Sequence, residues 1–73
     1  MKLVAGFETT NEALFMKNFC ENKKIKGELI PVPEQIGAGC GLAFRFENEN
    51  FEKIKKILDK EHVSYKILKV LPI

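Results

Sequence analysis

The sequence predicts an α+β fold: a ferredoxin-like βαββαβ sandwich, with a four-stranded antiparallel sheet carrying two helices on one face. Two observations point there. Four short apolar or alternating stretches are interrupted by two stretches with apolar residues at three- and four-residue spacing. Their order along the chain is β-α-β-β-α-β, which the ferredoxin-like sandwich arranges in the sheet order 4-1-3-2, and the right-handed crossover rule limits the alternatives.

Residues 2–7 are short, mostly apolar, and read as a buried strand. Thr9-Thr10-Asn11-Glu12 spells a capping box, with Thr9 as N-cap and Glu12 three residues on. The helix that follows carries Ala13, Met16, Phe19 and Cys20 on one stripe, widened by Leu14 and Phe15. It is expected to end near residues 22–24, where lysines suit the negative end of the dipole. Glu28-Leu29-Ile30-Pro31-Val32-Pro33 reads as an edge strand running into a loop, because proline cannot donate to a ladder. Gly37-Ala38-Gly39-Cys40-Gly41 is a turn. Cys40, Leu42, Phe44 and Phe46 then alternate with Gly41, Ala43, Arg45 and Glu47, the clearest strand signal in the chain. A second helix opens at Asn48 or Asn50, with Phe51, Ile54, Ile57 and Leu58 on one face. It closes around residues 61–62, and residues 63–71 supply the last strand.

Seventy-three residues make a single small domain, residues 1–73. Twelve basic and ten acidic side chains nearly cancel, which argues against a nucleic-acid footprint. No apolar stretch approaches the roughly 20 residues that span a bilayer. The N-terminal segment runs straight into Glu8 without a signal peptide's long apolar region, so the cytoplasm is the expected compartment. Two cysteines and one histidine fall short of the about four ligands of a structural zinc site, and neither a metal nor a cofactor is expected. No paired carboxylates or nucleophilic triad mark a stand-alone enzyme.

The topology gathers three connections at one end of the sheet: residues 8–11, 34–41 and 61–64. Cys40 belongs to that end, whereas Cys20 lies roughly 15 Å along the helix axis from its start. That separation is too great for a disulfide between them. Cys40 is the candidate nucleophile. Gly37, Ala38, Gly39 and Gly41 let backbone N–H groups approach its sulfur, and the first helix, capped by Thr9, starts nearby. Its parity with Leu42, Phe44 and Phe46 equally suits a small core residue. Cys20, on the apolar stripe, reads as core packing. His62 reads as a helix-end cap or as a proton acceptor for Cys40. The six phenylalanines read as core, and Gly41 and Ala43 offer a flat sheet surface for a second copy.

Phe7, Thr9-Thr10, Ala13-Leu14, Ile30-Pro31-Val32-Pro33 and Cys40-Gly41-Leu42-Ala43, in this order, resemble the putative selenium/sulfur carrier protein-like family. The resemblance implies that Cys40 carries sulfur or selenium, as a persulfide or selenopersulfide, with Thr9 and Thr10 on the polar rim of its site. Its partners would be sulfur- or selenium-donor and acceptor proteins. Two positions depart from the family pattern. Glu34 stands where arginine is common, and Gly37, Ala38 and Gly39 stand where serines are common. The other reading is a ferredoxin-like interaction or ligand-sensing module with an inert Cys40, forming a homodimer through the open sheet face.

Overall fold

A computed structural model describes residues 1–37 and 39–73. The elements are β1 (Lys2–Gly6), α1 (Thr10–Asn22), β2 (Gly27–Pro31), β3 (Leu42–Phe46), α2 (Phe51–Lys60) and β4 (Ile67–Leu71). They form one antiparallel sheet in the order β2-β3-β1-β4, the order expected from the sequence. The ferredoxin-like topology is therefore the fold. Two strands begin later than their sequence patterns suggest. Gly41 takes a left-handed φ of 84°, which breaks the extended run and delays β3 to Leu42. Residues 63–66 complete the turn out of α2 before β4 starts.

Both helices are fixed at their ends by local hydrogen bonds. At α1 the Glu12 N–H donates to Thr9 Oγ1 at 3.2 Å, while the Thr9 and Glu8 N–H groups donate to Glu12 Oε1 at 3.3 and 3.0 Å. At α2 the Lys53 N–H donates to Asn50 Oδ1 at 3.1 Å. The C-termini share a Schellman closure. Lys24 N–H donates to Glu21 O at 3.2 Å and Ile25 N–H to Cys20 O at 2.8 Å. His62 N–H donates to Asp59 O at 3.2 Å and Val63 N–H to Leu58 O at 3.0 Å. The residue that turns the chain is Lys24 (φ 59°) in one and His62 (φ 55°) in the other, a left-handed position usually held by glycine.

Pairing register divides the sheet into two faces. Leu3, Ala5 and Phe7 from the first strand and its exit, with Phe44 and Phe46 of β3, face the helices. There they pack with Ala13, Met16 and Cys20 of α1 and Ile54 and Leu58 of α2 into the main core. Phe44 and Phe46 meet edge to face, with ring centroids 5.0 Å apart. The helical stripe is narrower than the sequence suggests. Leu14 and Phe15 are exposed, at 45% and 57%, because successive helical residues turn about 100°. Residues 14 and 15 therefore point away from the face set by Ala13, Met16 and Cys20. Phe15 is accordingly not a core residue, while Phe19 and Phe51 are half-buried.

The second face is not open around Ala43. Register aligns Ile30, Ala43, Gly6 and Ile67 across all four strands, which leaves a trough over the two small residues in the middle. Ile36, from the connection between β2 and β3, fills it: a Cβ on Gly6 would lie 2.7 Å from Ile36 Cγ2 and 2.8 Å from Ile67 Cγ2. Val4, Ala43 and Leu71 are buried here, with Ile30, Val32 and Ile36 packed on them. The small-residue surface expected to receive a second copy is thus covered by the chain's own loop. Beyond the trough the face is charged, with Arg45 paired to Glu28 and Glu47, and Lys2 paired to Glu47.

The left-handed helix ends generate a stability test. Lys24→Gly and His62→Gly each remove a Cβ from a left-handed turn, and each is expected to raise the unfolding free energy. The gain is roughly 0.5–1 kcal/mol after glycine's larger unfolded-state entropy is counted. Urea unfolding checks this as a higher midpoint at unchanged slope.

Candidate functional site

Residues 32–41, between β2 and β3, hold Cys40 at the end of the sheet where α1 begins. Val32 N–H donates to Gly41 O at 3.1 Å, closing the loop at its base. Within it, the Ile36 and Gly37 N–H groups both donate to Pro33 O, at 3.0 and 3.3 Å. Gly37 (φ 88°) and Gly41 (φ 84°) supply the left-handed turns on either side of Cys40. The loop then meets β1 backbone to backbone: Cys40 N–H donates to Phe7 O at 3.3 Å. Gly39 passes so close that any Cβ there would collide with the same Phe7 oxygen. This is the physical reason for the glycine immediately before the cysteine. Ala38 lies outside the described residues.

Cys40 is half-buried and packs against the main core, and its thiol donates to Leu42 O at 3.6 Å. The sequence expects backbone N–H donors around this sulfur. Two of the loop's N–H groups already have other acceptors, Cys40's on Phe7 O and Gly37's on Pro33 O. At the start of α1, the backbone N–H groups of Glu8, Thr9 and Glu12 and the Thr9 hydroxyl oxygen are all engaged in the capping box. Thr10 is exposed on the first turn of the helix. The hydrogen-bond partner that the structure gives the thiol is a carbonyl oxygen.

His62 occupies the same end of the sheet but looks elsewhere. Its backbone N–H caps α2, and its exposed side chain lines a hollow of about 240 Å³ with Asn11, Glu12, Phe15 and Ser64. Those neighbours come from α1 and the turn into β4, not from the Cys40 loop. Glu8, at the exit of β1, pairs with Lys66 at 3.3 Å and adds charge to this rim.

The two thiols differ in environment. Cys20 is 1% exposed on α1, and burial pushes its pKa from the ordinary 9.0 to about 11. Both cysteines are free thiols. Sequence reasoning missed Ile36 and the carbonyls of Phe7 and Leu42. The carbonyls leave no trace in side-chain identity, but Gly6 and Ala43, small residues on one sheet face, were a signal for an inserted side chain. Among the described residues, no group of three or more His, Cys, Asp or Glu side chains is arranged to hold a metal ion. No helix among them is long and apolar enough to cross a membrane.

The chain matches the family model described as Putative Se/S carrier protein-like over residues 2–69. No curated protein and no solved structure matches it.

Cys20 gives the fold a pH signature. Below pH 9 the folded and unfolded chains both keep its proton, so the buried thiol contributes its full stability. Above pH 9 the unfolded chain releases the proton while the folded chain keeps it until about pH 11. Stability is therefore expected to fall across that window by about 2–3 kcal/mol. Unfolding measured at a series of pH values checks this, with the decline shallower by that amount in Cys20→Ala.

Proposed function

The chain belongs to the Putative Se/S carrier protein-like family, and on that premise we propose that it holds a chalcogen on Cys40 and passes it between protein partners. The observation that supports Cys40 is the contrast between the two thiols. Cys20 is sealed in the core, whereas Cys40 is half-buried on a loop at the edge of the fold. In the loading step, the Cys40 thiolate attacks the terminal sulfur of a donor persulfide. One S–S bond breaks and one forms, the donor leaves as a thiolate, and Cys40 becomes the persulfide. Attack by an acceptor thiolate on the terminal sulfur reverses the exchange and restores Cys40. A selenopersulfide donor delivers selenium by the same balance. No net oxidation occurs in either step.

The role is carriage rather than stand-alone catalysis, and the partners are sulfur- or selenium-donor and acceptor proteins. The carrier is placed in the cytoplasm, where reducing conditions keep both thiols free. In this reading Gly39 lets the loop come close to β1, Gly37 and Gly41 supply its left-handed turns, Thr9 and Thr10 form its polar rim, and His62 serves the neighbouring surface. The second reading, an interaction or ligand-sensing module with an inert Cys40, is favoured by one observation: the thiol is turned inward onto the Leu42 carbonyl. Self-association through the second sheet face would have to work around Ile36 in the Gly6–Ala43 trough.

Intact mass after incubation with a small-molecule persulfide donor separates the two readings. One added sulfur on the wild type, retained in Cys20→Ser and lost in Cys40→Ser, is the expected result. Cys20→Ser is also expected to lower stability by about 1–3 kcal/mol, since it places a hydroxyl in apolar packing. An adduct on Cys20, or none on either thiol, overturns the carrier reading.

A further inference from the structure

Ile36 has no part in the chemistry proposed above, yet it is the apolar anchor of the loop that carries Cys40. They stand four positions apart, and the loop is tied down at both. At the first, Ile36 sits in the trough over Gly6 and Ala43, with Ile67 alongside. At the second, the Cys40 N–H and the Gly39 backbone rest on the Phe7 carbonyl. Gly37 lies between the two anchors and Gly41 just beyond them. Both have left-handed φ values, and a Cβ on either would meet nothing within 4 Å. With both anchors in place, the thiol is turned to the Leu42 carbonyl and packed against the core.

We propose that Ile36 is a positioning residue for Cys40: docked over Gly6, it holds the loop on the sheet with the thiol turned inward, and its release presents the thiol to a partner. This rests on Cys40 being the carrier. The second anchor is a single backbone hydrogen bond of 3.3 Å onto the Phe7 carbonyl, and the docking of Ile36 adds apolar burial that holds the closed state. Ile36 is itself only half-buried, which keeps the opening local and inexpensive relative to unfolding. A resting carrier would then keep its thiol out of reach of stray oxidants and electrophiles. Partner binding that displaces Ile36 would be coupled to exposure of the reacting atom.

The test is the alkylation rate of each thiol by iodoacetamide in the full chain near neutral pH, with the two cysteines resolved by peptide mass. Ile36→Ala is expected to raise the Cys40 rate about tenfold by removing apolar surface from the closed state. Ile36→Val should stay near wild type, and Cys20 should stay protected in both. Gly6→Ala crowds the same seat and should shift the Cys40 rate in the same direction. If Gly6→Ala fails to fold, Ile36→Ala decides alone. An unchanged Cys40 rate in Ile36→Ala overturns the proposal. So does a Cys20 rate that climbs in step with Cys40, because a merely structural role for Ile36 loosens both thiols together. The carrier reading fails separately: no persulfide adduct on wild-type Cys40 would sink it while leaving the alkylation comparison intact.

Discussion

Two adjacent strands leave a gap on the second sheet face, and the path of the longest connection depends on it. Gly6 and Ala43 are cross-strand partners, and neither can fill the space above them. A side chain from elsewhere must do so, or the apolar row from Ile30 to Ile67 stays hydrated. Ile36 is the side chain that arrives, with Val32 packed on the same cluster. From there the chain re-enters β3 past the Phe7 carbonyl, which fixes Gly39 and Cys40 at the exit of β1. The cysteine's position is thus a consequence of what two small residues fail to bury.

That second cluster changes how a chain this short is stabilised. The main core is one-sided, with the helices laid over Leu3, Ala5, Phe44 and Phe46. A sheet with its other face wet would rest on that core alone. Instead Val4, Ala43 and Leu71 are buried on the far side, and an ion-paired row around Arg45 covers the remainder. The salt bridges themselves contribute little, since exposed pairs are typically worth about 0–1 kcal/mol. Their role is to leave charge where apolar surface would otherwise invite another molecule. The exposed apolar side chains lie instead on α1, at Leu14 and Phe15, and toward the ends of the chain, at Met1, Val70 and Ile73.

The contrast between the thiols follows from the same architecture. Cys20 sits beneath the end of α1, where the Schellman closure folds Ile25 back over it and desolvation holds the proton in place. Cys40 sits outside β3, where Gly41 has broken the strand and the chain belongs to the loop. One residue type thereby occupies two environments, one unreactive by burial and one governed by the conformation of a short segment.

The sequence by itself determined the element order, the sheet order and the start of α1, and it narrowed the start of α2 to Asn48 or Asn50, of which Asn50 is the cap. Those features rest on periodicity and on hydrogen bonds between residues three or four apart, as in Thr9 with Glu12 and Asn50 with Lys53. It also marked the Cys40 loop through its glycines, although the reason for Gly39 became visible only when Phe7 was placed against it. Only the tertiary structure decided that the second face is covered, that Phe15 lies outside the core, that His62 faces Glu12, and that the thiol meets a carbonyl. The covered face and the surroundings of His62 depend on residues distant in the chain, and the thiol's partner is a backbone atom of a kind that every residue possesses. Side-chain identity carries no record of which carbonyl a sulfur will face; the folding of the loop onto Gly6 and Phe7 settles it.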